Sequence, residues 1–304
     1  MLNCHINRTT TFDKKSYYYP DLPAAYQTTQ WFAPVAVNGL VEIETKNGKK
    51  GIRIKQINME EDAGKLVHDI REDTTHVDFN RTSVPLIEIV SQPDLSGADE
   101  VEAYLERLKN LLRFAKVAEC EMAHGTMRCD VNLSVRPEGS DKLGVRTEMK
   151  NMNSIEAIKR AIEYETARHI DALENNTEVL RQETRRWDDI KGKSYAMRTK
   201  ETAGDYRYFP DPNVMPVVID DEWFDSIKAS LPELPEVKLA RYTEELGLSE
   251  YDAEQITKSI ALCECFEGAC KACGSAKDAA NWIISDVMSA LNSRQMTYDM
   301  LTLD

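Results

Sequence analysis

The sequence predicts an α+β fold in which a domain of mixed or antiparallel sheet at 1–219 is followed by a smaller all-helical domain at 220–304. Residues up to about 90 alternate apolar and polar side chains, as half-buried strands do. From Leu231 onward the apolar residues recur at helical spacing. The charge divides at the same place, since residues 220–304 hold 17 acidic and 7 basic side chains of a chain whose net charge is −14.

The first elements are two strands of a hairpin. Segments 41–44 and 51–54 alternate apolar and polar residues, and Asn47-Gly48 between them is a turn signal. The apolar positions then move from even to odd numbers, which predicts a β-bulge near Gln56. In that phase we expect Glu61 to point inward.

Helices and short strands follow. Ser96 is predicted to cap a helix, and strands are predicted around 128–136 and 144–150. A second helix is expected to begin after Ser154. Its predicted buried side consists of Ile155, Ile158, Ile162, Ile170 and Leu173.

The last third is predicted to be helical. Pro235 suits the first turn of one helix, Gly247 suits a C-terminal stop, and Ser249 suits the start of the next helix. We place the domain boundary near 220–234.

Composition narrows the class of protein. The chain has 304 residues, 42% of them hydrophobic, which is typical of a globular protein. It contains no run approaching the ~20 apolar residues of a membrane span, and its first residues are unlike a signal peptide. We therefore expect a cytoplasmic protein without membrane association, with reduced cysteines.

Four cysteines lie close together at Cys263, Cys265, Cys270 and Cys273. Their spacing partly resembles that of a metal site, but the segment is predicted to be one helix. Four converging thiolates would require that helix to break, so we expect packed or free thiols rather than zinc or an iron–sulfur cluster.

One carboxylate, Glu88, lies in the apolar run 84–90. A buried carboxylate must take up a proton or bind a cation. Glu61 and Glu88, on two strands, suit a hard cation such as magnesium. Nearby Lys14, Lys15, Lys65 and Arg81 would complete a site for magnesium-assisted phosphoryl transfer. Structural salt bridges are the alternative interpretation, and the residues alone favour it.

Several other chemistries are excluded. A phosphate-binding loop ending in Gly64-Lys65 would need glycine where Met59 stands. No dinucleotide fingerprint is present. The chain also lacks a nucleophile elbow and a serine-rich amidase pattern, so it is not expected to release ammonia from an amide by itself.

Seven motifs, in order, carry a family resemblance: Phe12-Asp13-Lys14-Lys15-Ser16-Tyr17-Tyr18-Tyr19-Pro20-Asp21-Leu22-Pro23, Met59-Glu60-Glu61-Asp62-Ala63-Gly64-Lys65, Asn80-Arg81-Thr82-Ser83-Val84-Pro85-Leu86-Ile87-Glu88-Ile89-Val90, Met127-Arg128-Cys129-Asp130-Val131-Asn132, Glu148-Met149-Lys150-Asn151-Met152-Asn153-Ser154, Gln182-Glu183-Thr184-Arg185 and Asp205-Tyr206-Arg207-Tyr208-Phe209-Pro210-Asp211-Pro212. They resemble the B subunit of the glutamyl-tRNA(Gln)/aspartyl-tRNA(Asn) amidotransferase (GatB) and cover nearly the whole chain.

The resemblance implies an ATP- and Mg²⁺-dependent ligase within a complex. ATP phosphorylates the side-chain carboxylate of Glu-tRNA(Gln) or Asp-tRNA(Asn), and ammonia from the amidase A subunit then displaces phosphate. A small C subunit is the other protein partner. The sheet-rich domain at 1–219 is then the catalytic cradle.

The resemblance also implies roles for particular residues. Glu61 and Glu88 are similar to the family's catalytic, magnesium-binding carboxylates, and Lys15 to an active-site or phosphate-binding lysine. Weaker candidates for the pocket wall, for which structural roles are equally expected, are Asp62, Lys65, Asn80, Arg81, Arg128, Asp130, Asn132, Glu148 and Lys150.

The sequence departs from the family in three places. It begins after a strand that normally adds groups to the metal site, and it stops before a small tail domain that grips tRNA. Pro23-Ala24-Ala25-Tyr26 also lacks a lysine that many relatives carry. We therefore expect weak solubility or dependence on a partner. The alternative function is an inactive scaffold that only docks the amidase subunit.

Overall fold

The structure is a computed structural model that describes residues 1–69, 73–199, 206–294 and 296. Its strands are β1 (His5–Ile6), β2 (Thr9–Thr10), β3 (Asp13–Ser16), β4 (Tyr26–Thr29), β5 (Ala36–Thr45), β6 (Gly48–Glu61), β7 (Lys65–Asp69), β8 (Thr74–Asp78), β9 (Pro85–Ser91), β10 (Val131–Leu133), β11 (Thr147–Lys150), β12 (Glu183–Asp188), β13 (Lys193–Thr199), β14 (Phe209–Pro210) and β15 (Val217–Val218).

The helices are α1 (Ala98–Phe114), α2 (Ile155–Asn175), α3 (Asp221–Ser230), α4 (Pro235–Glu244), α5 (Glu250–Thr257), α6 (Ile260–Cys273), α7 (Ala276–Trp282) and α8 (Met288–Ser293). A π-helical turn, Ile283–Val287, joins α7 to α8. Within the part of the chain described, no helix is both long and apolar enough to cross a membrane. A cytoplasmic location stays a prediction.

Among the residues that the structure describes, the strands form two four-stranded sheets and three smaller ones. One large sheet has the order β1-β5-β6-β9 and is antiparallel throughout. The other has the order β10-β11-β12-β13, with one parallel pair between β11 and β12. A three-stranded sheet has the order β14-β3-β4, and β15-β2 and β7-β8 form pairs. The predicted α+β class, sheet-rich first and helical later, is confirmed.

The chain divides into two compact units. Residues 2–104 and 128–226 form the sheet unit, and 105–127 with the chain from 227 onward form the helical unit. A single cut at 219/220 does not describe this division, because 105–127 belong with the helices that come later in the chain. The function assigned to each predicted domain stays a prediction.

The predicted hairpin and bulge are confirmed. β5 and β6 pair from Thr45↔Gly48 onward, and Gly48 has a φ of +99°, a conformation that glycine adopts without strain. The β6–β9 register shifts between Ile54 and Gln56. The extra residue in β6 reverses the phase of the strand after the bulge, as the sequence pattern indicates.

The predicted buried side of α2 is only partly correct. Ile158 and Ile162 are buried, but Ile170 and Leu173 are 40% and 54% exposed. Glu165 and His169 are fully buried instead. The helix therefore presents a partly polar face to the sheet it packs on.

A network of charged side chains satisfies the buried Glu165. Arg168 Nε lies 2.8 Å and Arg185 Nε 3.1 Å from its carboxylate oxygens, and the Ser194 hydroxyl also donates to it. Arg168 continues to Glu178 at 2.7 Å. Since α2, β12 and β13 each contribute to the network, it ties the helix to that sheet.

The helical unit follows local signals closely. Pro235 occupies the first turn of α4, Gly247 has a φ of +69°, and the Ser249 side chain caps α5 by accepting from Asp252 N. α6 is unbroken through all four clustered cysteines. The core of the unit includes Phe114, Tyr242, Ile256, Leu262, Phe266 and Ile283, each no more than 2% exposed.

One ion-pair cluster in this unit makes its stability depend on pH. Burial opposes ionisation of Glu267, but hydrogen bonds from Lys238, Tyr242 and Arg241 outweigh it and lower its pKa to about 2. A lowered carboxyl pKa stabilises the fold above the unfolded-state pKa, and this stabilisation disappears as the pH falls through the folded-state pKa.

We expect Glu267→Gln to destabilise the protein at pH 7 by about 1–2 kcal/mol, after allowance for partial solvent screening. The difference from wild type should shrink as the pH falls from about 4.5 towards 2. Urea unfolding at a series of pH values measures this. Glu264→Gln, an exposed glutamate of the same helix, is the control. If Glu267→Gln destabilises the protein equally at all pH values, ionised Glu267 is not the source of the pH-dependent stability.

Candidate functional site

The pairing of β6 with β9 brings two carboxylates to one face of the sheet. Asn58 lies opposite Glu88, and Glu60 lies opposite Leu86. Cross-strand partners share a face, and so do alternate residues of one strand, so Glu60 and Glu88 are diagonal neighbours. Asn58 Nδ2 donates a 2.8 Å hydrogen bond to Glu88 Oε2 and so fixes that carboxylate.

Glu61 and Glu88, the two predicted magnesium ligands, lie on opposite faces of the β6–β9 pair, and their role as ligands stays a prediction. Glu61 lies opposite Pro85, an odd number of residues from Glu88, and therefore points to the other face. Its Oε1 accepts a 3.0 Å hydrogen bond from Thr28 N. The bulge was predicted correctly. After it, however, Glu88 lies on the same face as the even-numbered residues of β6, and Glu61 lies on the opposite face.

The predicted burial of Glu88 is also wrong. β9 is an edge strand of its sheet, and Glu88 is exposed. Ile87 on the same strand is 43% exposed. An apolar run can thus lie on an edge strand, and its polar residue can face solvent.

Glu60 is the more enclosed of the two carboxylates. Thr29 Oγ1 donates to its Oε1 at 2.5 Å and Gln27 Nε2 to its Oε2 at 3.2 Å. Burial raises the pKa of Glu60, and the negative charge of Glu88 raises it further, while Thr29 and Lys15 act in the opposite direction. Glu60 and Glu88 therefore form a carboxylate pair, called the carboxylate pair below, in which the charge of Glu88 disfavours ionisation of Glu60.

Lys15, a predicted catalytic residue, is close enough to Glu60 for its positive charge to lower the pKa of that carboxyl. Its Nζ lies 5.5 Å from the ring centroid of Tyr17 and 5.1 Å from that of Tyr206. Tyr17 Oη donates to Gln27 Oε1 at 3.2 Å, which aims the Gln27 amide at Glu60. Burial, followed by Asp21 and Glu60, raises the pKa of Tyr17 to about 12, so this hydroxyl stays protonated at neutral pH.

Lys14, in contrast, is structural. It is 9% exposed, and its Nζ lies 3.5 Å from Asp211 and 4.1 Å from the ring centroid of Tyr26. Neighbouring residues of a strand point to opposite faces, so only Lys15 is available to the carboxylate pair.

Two predicted arginines converge on Asp62. Arg81 Nε lies 3.1 Å and Arg128 Nη2 2.7 Å from its two carboxylate oxygens. Asp62 is 8% exposed, whereas the side chains of Arg81 and Arg128 are 36% and 55% exposed. The buried aspartate thus holds two partly exposed guanidinium groups. Arg81 also donates to the carbonyls of Ala63 and Gly64, and the remaining N–H groups of the two arginines suit phosphate.

Other predicted residues form a separate group on the second sheet. Lys150 forms ion pairs with Asp130 and, at 3.6 Å, with Glu148, and Asn132 lies opposite Glu148 in the register. Thr184 donates to Glu148 at 2.8 Å. Burial alone would lower the pKa of Lys150, but Asp130 and Glu148 raise it overall, so the lysine stays charged.

The two remaining pocket-wall candidates lie near the β7–β8 hairpin. Lys65 begins β7 and is exposed. Asn80 donates from its backbone and side chain to Asp78, which closes a turn. The structure joins neither residue to the carboxylate pair.

The carboxylate pair fits a hard divalent cation. Among described residues, no group of three or more His, Cys, Asp or Glu side chains is arranged to hold a metal ion. Magnesium, however, commonly takes only one or two protein carboxylates and completes its coordination with water and phosphate oxygens. Glu60 and Glu88 supply carboxylate oxygens, and the negative charge of Glu88 disfavours ionisation of Glu60, an effect that a bound cation would offset.

Sequence reasoning missed Glu60, Asn58 and Gln27. The signal for Glu60 was present, since even-numbered residues of β6 lie beside Glu88 once the bulge is placed. Gln27 carried no such signal, because its contact with Glu60 spans 33 residues and depends on how β4 packs on β6.

Comparisons with known proteins agree with the motifs. A sequence profile described as the GatB/GatE catalytic domain matches residues 1–225. Similar proteins carry the name of the B subunit of aspartyl/glutamyl-tRNA(Asn/Gln) amidotransferase. One from Agathobacter rectalis is 52% identical over 98% of this chain, and one from Clostridium tetani is 46% identical over 99%. The chain spans 63% and 62% of their lengths, respectively.

Proposed function

This chain belongs to the GatB/GatE catalytic-domain family, and on that premise we propose that it is the carboxylate-activating subunit of a tRNA-dependent amidotransferase. The proposed substrates are ATP, ammonia and Glu-tRNA(Gln) or Asp-tRNA(Asn). The proposed protein partners are an amidase A subunit, which releases ammonia, and a small C subunit. The observation that carries the proposal is that Glu60 and Glu88 share one face of the β6–β9 pair and that Lys15 lies within electrostatic reach of Glu60.

The proposed reaction has two steps. The side-chain carboxylate of the glutamate or aspartate attached to tRNA attacks the terminal phosphorus of ATP, giving an acyl phosphate and ADP. Ammonia then attacks the acyl carbon, the C–O bond to phosphate breaks, and the nitrogen loses a proton to give the amide. The first step is needed because a free carboxylate resists attack by an amine, whereas phosphate is a good leaving group.

This chain's residues support the first step by charge and position. Lys15 lies within electrostatic reach of Glu60, where an ammonium group offsets the charge that develops on transferred phosphate oxygens. Arg81 and Arg128, held by Asp62, present guanidinium edges for further phosphate oxygens. Asn58 and Gln27 keep Glu88 and Glu60 in place.

Glu60 and Glu88 would hold magnesium, which neutralises phosphate charge when bound. The resemblance assigns that role to Glu61 and Glu88. The register of β6 with β9 supports Glu60 in place of Glu61.

The test is an amidation assay with the full chain assembled with A and C subunits. With Mg²⁺, ATP, ammonium and charged tRNA, we expect amidated aminoacyl-tRNA and one ADP per product. Omitting ATP should leave the aminoacyl group unchanged. If the complex binds magnesium–ATP but does not amidate the charged tRNA, the nucleotide site is supported and the amidotransferase activity is refuted. If the complex assembles but shows neither magnesium–ATP binding nor amidation, the alternative function as a docking scaffold is supported.

Lys15→Ala should lower ATP-dependent product formation at least about tenfold, which corresponds to about 1.4 kcal/mol of transition-state stabilisation. Lys15→Arg should recover part of this loss because it keeps the positive charge. Lys49→Ala, at an exposed lysine near the turn of the β5–β6 hairpin, is the control. If both alanine variants retain wild-type kcat/KM, Lys15 has no role in phosphoryl transfer.

A further inference from the structure

A row of five aromatic rings passes beside Glu60, since Tyr17 Oη donates to the Gln27 side chain that hydrogen-bonds Glu60. Ring centroids are 5.9 Å apart for Tyr19–Tyr17, 6.0 Å for Tyr17–Tyr206 and 6.0 Å for Tyr206–Tyr208. At the far end, Trp31 stacks on Tyr208 at 4.4 Å and 16°. Trp31 and Tyr19, the two ends, are 49% and 48% exposed. We call these five residues the aromatic row.

Hydrogen bonds anchor the backbone at the Trp31 end of the row. Asp13 is fully buried in β3, and its Oδ2 accepts hydrogen bonds from Trp31 N at 2.7 Å and Phe32 N at 3.0 Å. β14, next to Tyr208, pairs with the same strand. One strand therefore carries Lys15 and also anchors the backbone of Trp31, whose indole stacks on Tyr208.

The row combines features of a surface that stacks bases. A half-exposed indole stacked on a neighbouring ring offers a large π surface, and bases stack on such faces whatever their sequence. Lys15 lies against two rings of the row, Tyr17 and Tyr206. A shallow pocket of about 310 Å³ adjoins Tyr17 and is also lined by Tyr18 and Arg207. Cations interleaved with aromatic rings suit a base with its phosphate.

We propose that the aromatic row is a stacking platform for an unpaired nucleobase, with Trp31 as its outer face. The proposal rests on the proposed function, because the two substrates that carry such a base are ATP and the single-stranded end of aminoacyl-tRNA. Both present the same chemistry, a planar base joined to phosphate.

The experiment replaces the indole with side chains that separate stacking from apolar contact. Trp31→Leu keeps apolar bulk without a π face, and Trp31→Phe keeps a π face. Trp223→Leu is the matched control, since Trp223 is 47% exposed in the same unit and lies outside the row. In the assembled complex, KM is measured for ATP, for charged tRNA and for ammonium. Titrations of each variant with fluorescent ATP and with labelled tRNA give the affinities directly.

We expect Trp31→Leu to raise KM and Kd by about 5- to 100-fold for whichever substrate supplies the base. Trp31→Phe should stay within about threefold of wild type, and the ammonium KM should not change. An effect on ATP alone identifies the nucleotide as the source, and an effect on tRNA alone identifies the RNA end. Unchanged values for both substrates would overturn the proposal. So would loss of subunit assembly with normal nucleotide and tRNA binding, since Trp31 would then serve a protein interface.

The outcomes separate this proposal from the function itself. Trp31-dependent binding without amidation by wild type would keep the platform and refute the activity. If the wild type amidates normally and Trp31→Leu changes neither KM nor Kd, the activity is supported and the stacking platform is refuted.

Discussion

Glu60→Gln and Glu88→Gln should each lower ATP-dependent amidation by about 10²- to 10³-fold, while Glu61→Gln should have a much smaller effect. Glu60 and Glu88 share a face of the β6–β9 pair, and Glu61 points away from it. Glutamine keeps the size of each side chain but removes the charge a cation needs. The measurement is kcat/KM for the amidation of Glu-tRNA(Gln) or Asp-tRNA(Asn) by the assembled complex at several magnesium concentrations.

Glu61→Gln is the matched control, because it is the adjacent residue and undergoes the same chemical change. A loss at Glu61 equal to that at Glu88, with Glu60→Gln near wild type, would restore the assignment that the family resemblance implies. It would also mean that the register of β6 does not decide which carboxylate holds the cation.

Stability offers an independent check on Glu60. Its pKa is raised by burial and by Glu88, so ionisation destabilises the fold above the unfolded-state pKa. Glu60→Gln should therefore raise the urea midpoint at pH 7. The gain should disappear below about pH 4, where both states of the wild type hold the proton. A residue that weakens the fold but is needed for activity is typical of a functional site.

Glu165→Ala should destabilise the protein by about 3–5 kcal/mol. Glu165 is fully buried and is the shared partner of Arg168, Arg185 and Ser194. Its removal leaves two arginines whose side chains are only 13% exposed without their common carboxylate. The remaining partners, Glu178 and Glu183, compensate only in part. Urea unfolding followed by circular dichroism measures the loss.

Glu163→Ala is the control for this effect. Glu163 is exposed on the same helix, two residues earlier, so the change in helix propensity is the same. We expect it to stay within about 0.5 kcal/mol of wild type. If the two alanine variants are equally stable, the buried network does not hold α2 to its sheet.

Several features could be predicted because local chemistry decides them. The hairpin turn at Asn47-Gly48, the bulge after Ile54, and the helix starts at Pro235 and Ser249 were all predicted correctly from the sequence. Each depends on a backbone angle or a cap within a few residues. The family resemblance likewise came from the order of short motifs, which the profile match over 1–225 confirms.

The candidate site was predicted in part. Lys15 and Glu88 came from the motifs, and the structure brings them together with Glu60, which was not predicted. The aromatic row was not predicted either. Its Trp31–Tyr208 stack joins residues that meet only because β14 and β4 flank β3.

By itself the sequence determined the α+β class, the family and the local elements, because short-range patterns specify them. Only the tertiary structure decided which residues face one another. The face to which Glu61 points depends on its pairing with β9. Glu88 is exposed because β9 is an edge strand, and the burial of Glu165 depends on arginines such as Arg185 from another strand. An alternating pattern gives the relative phase of residues within one strand, but pairing between distant segments fixes where each face points.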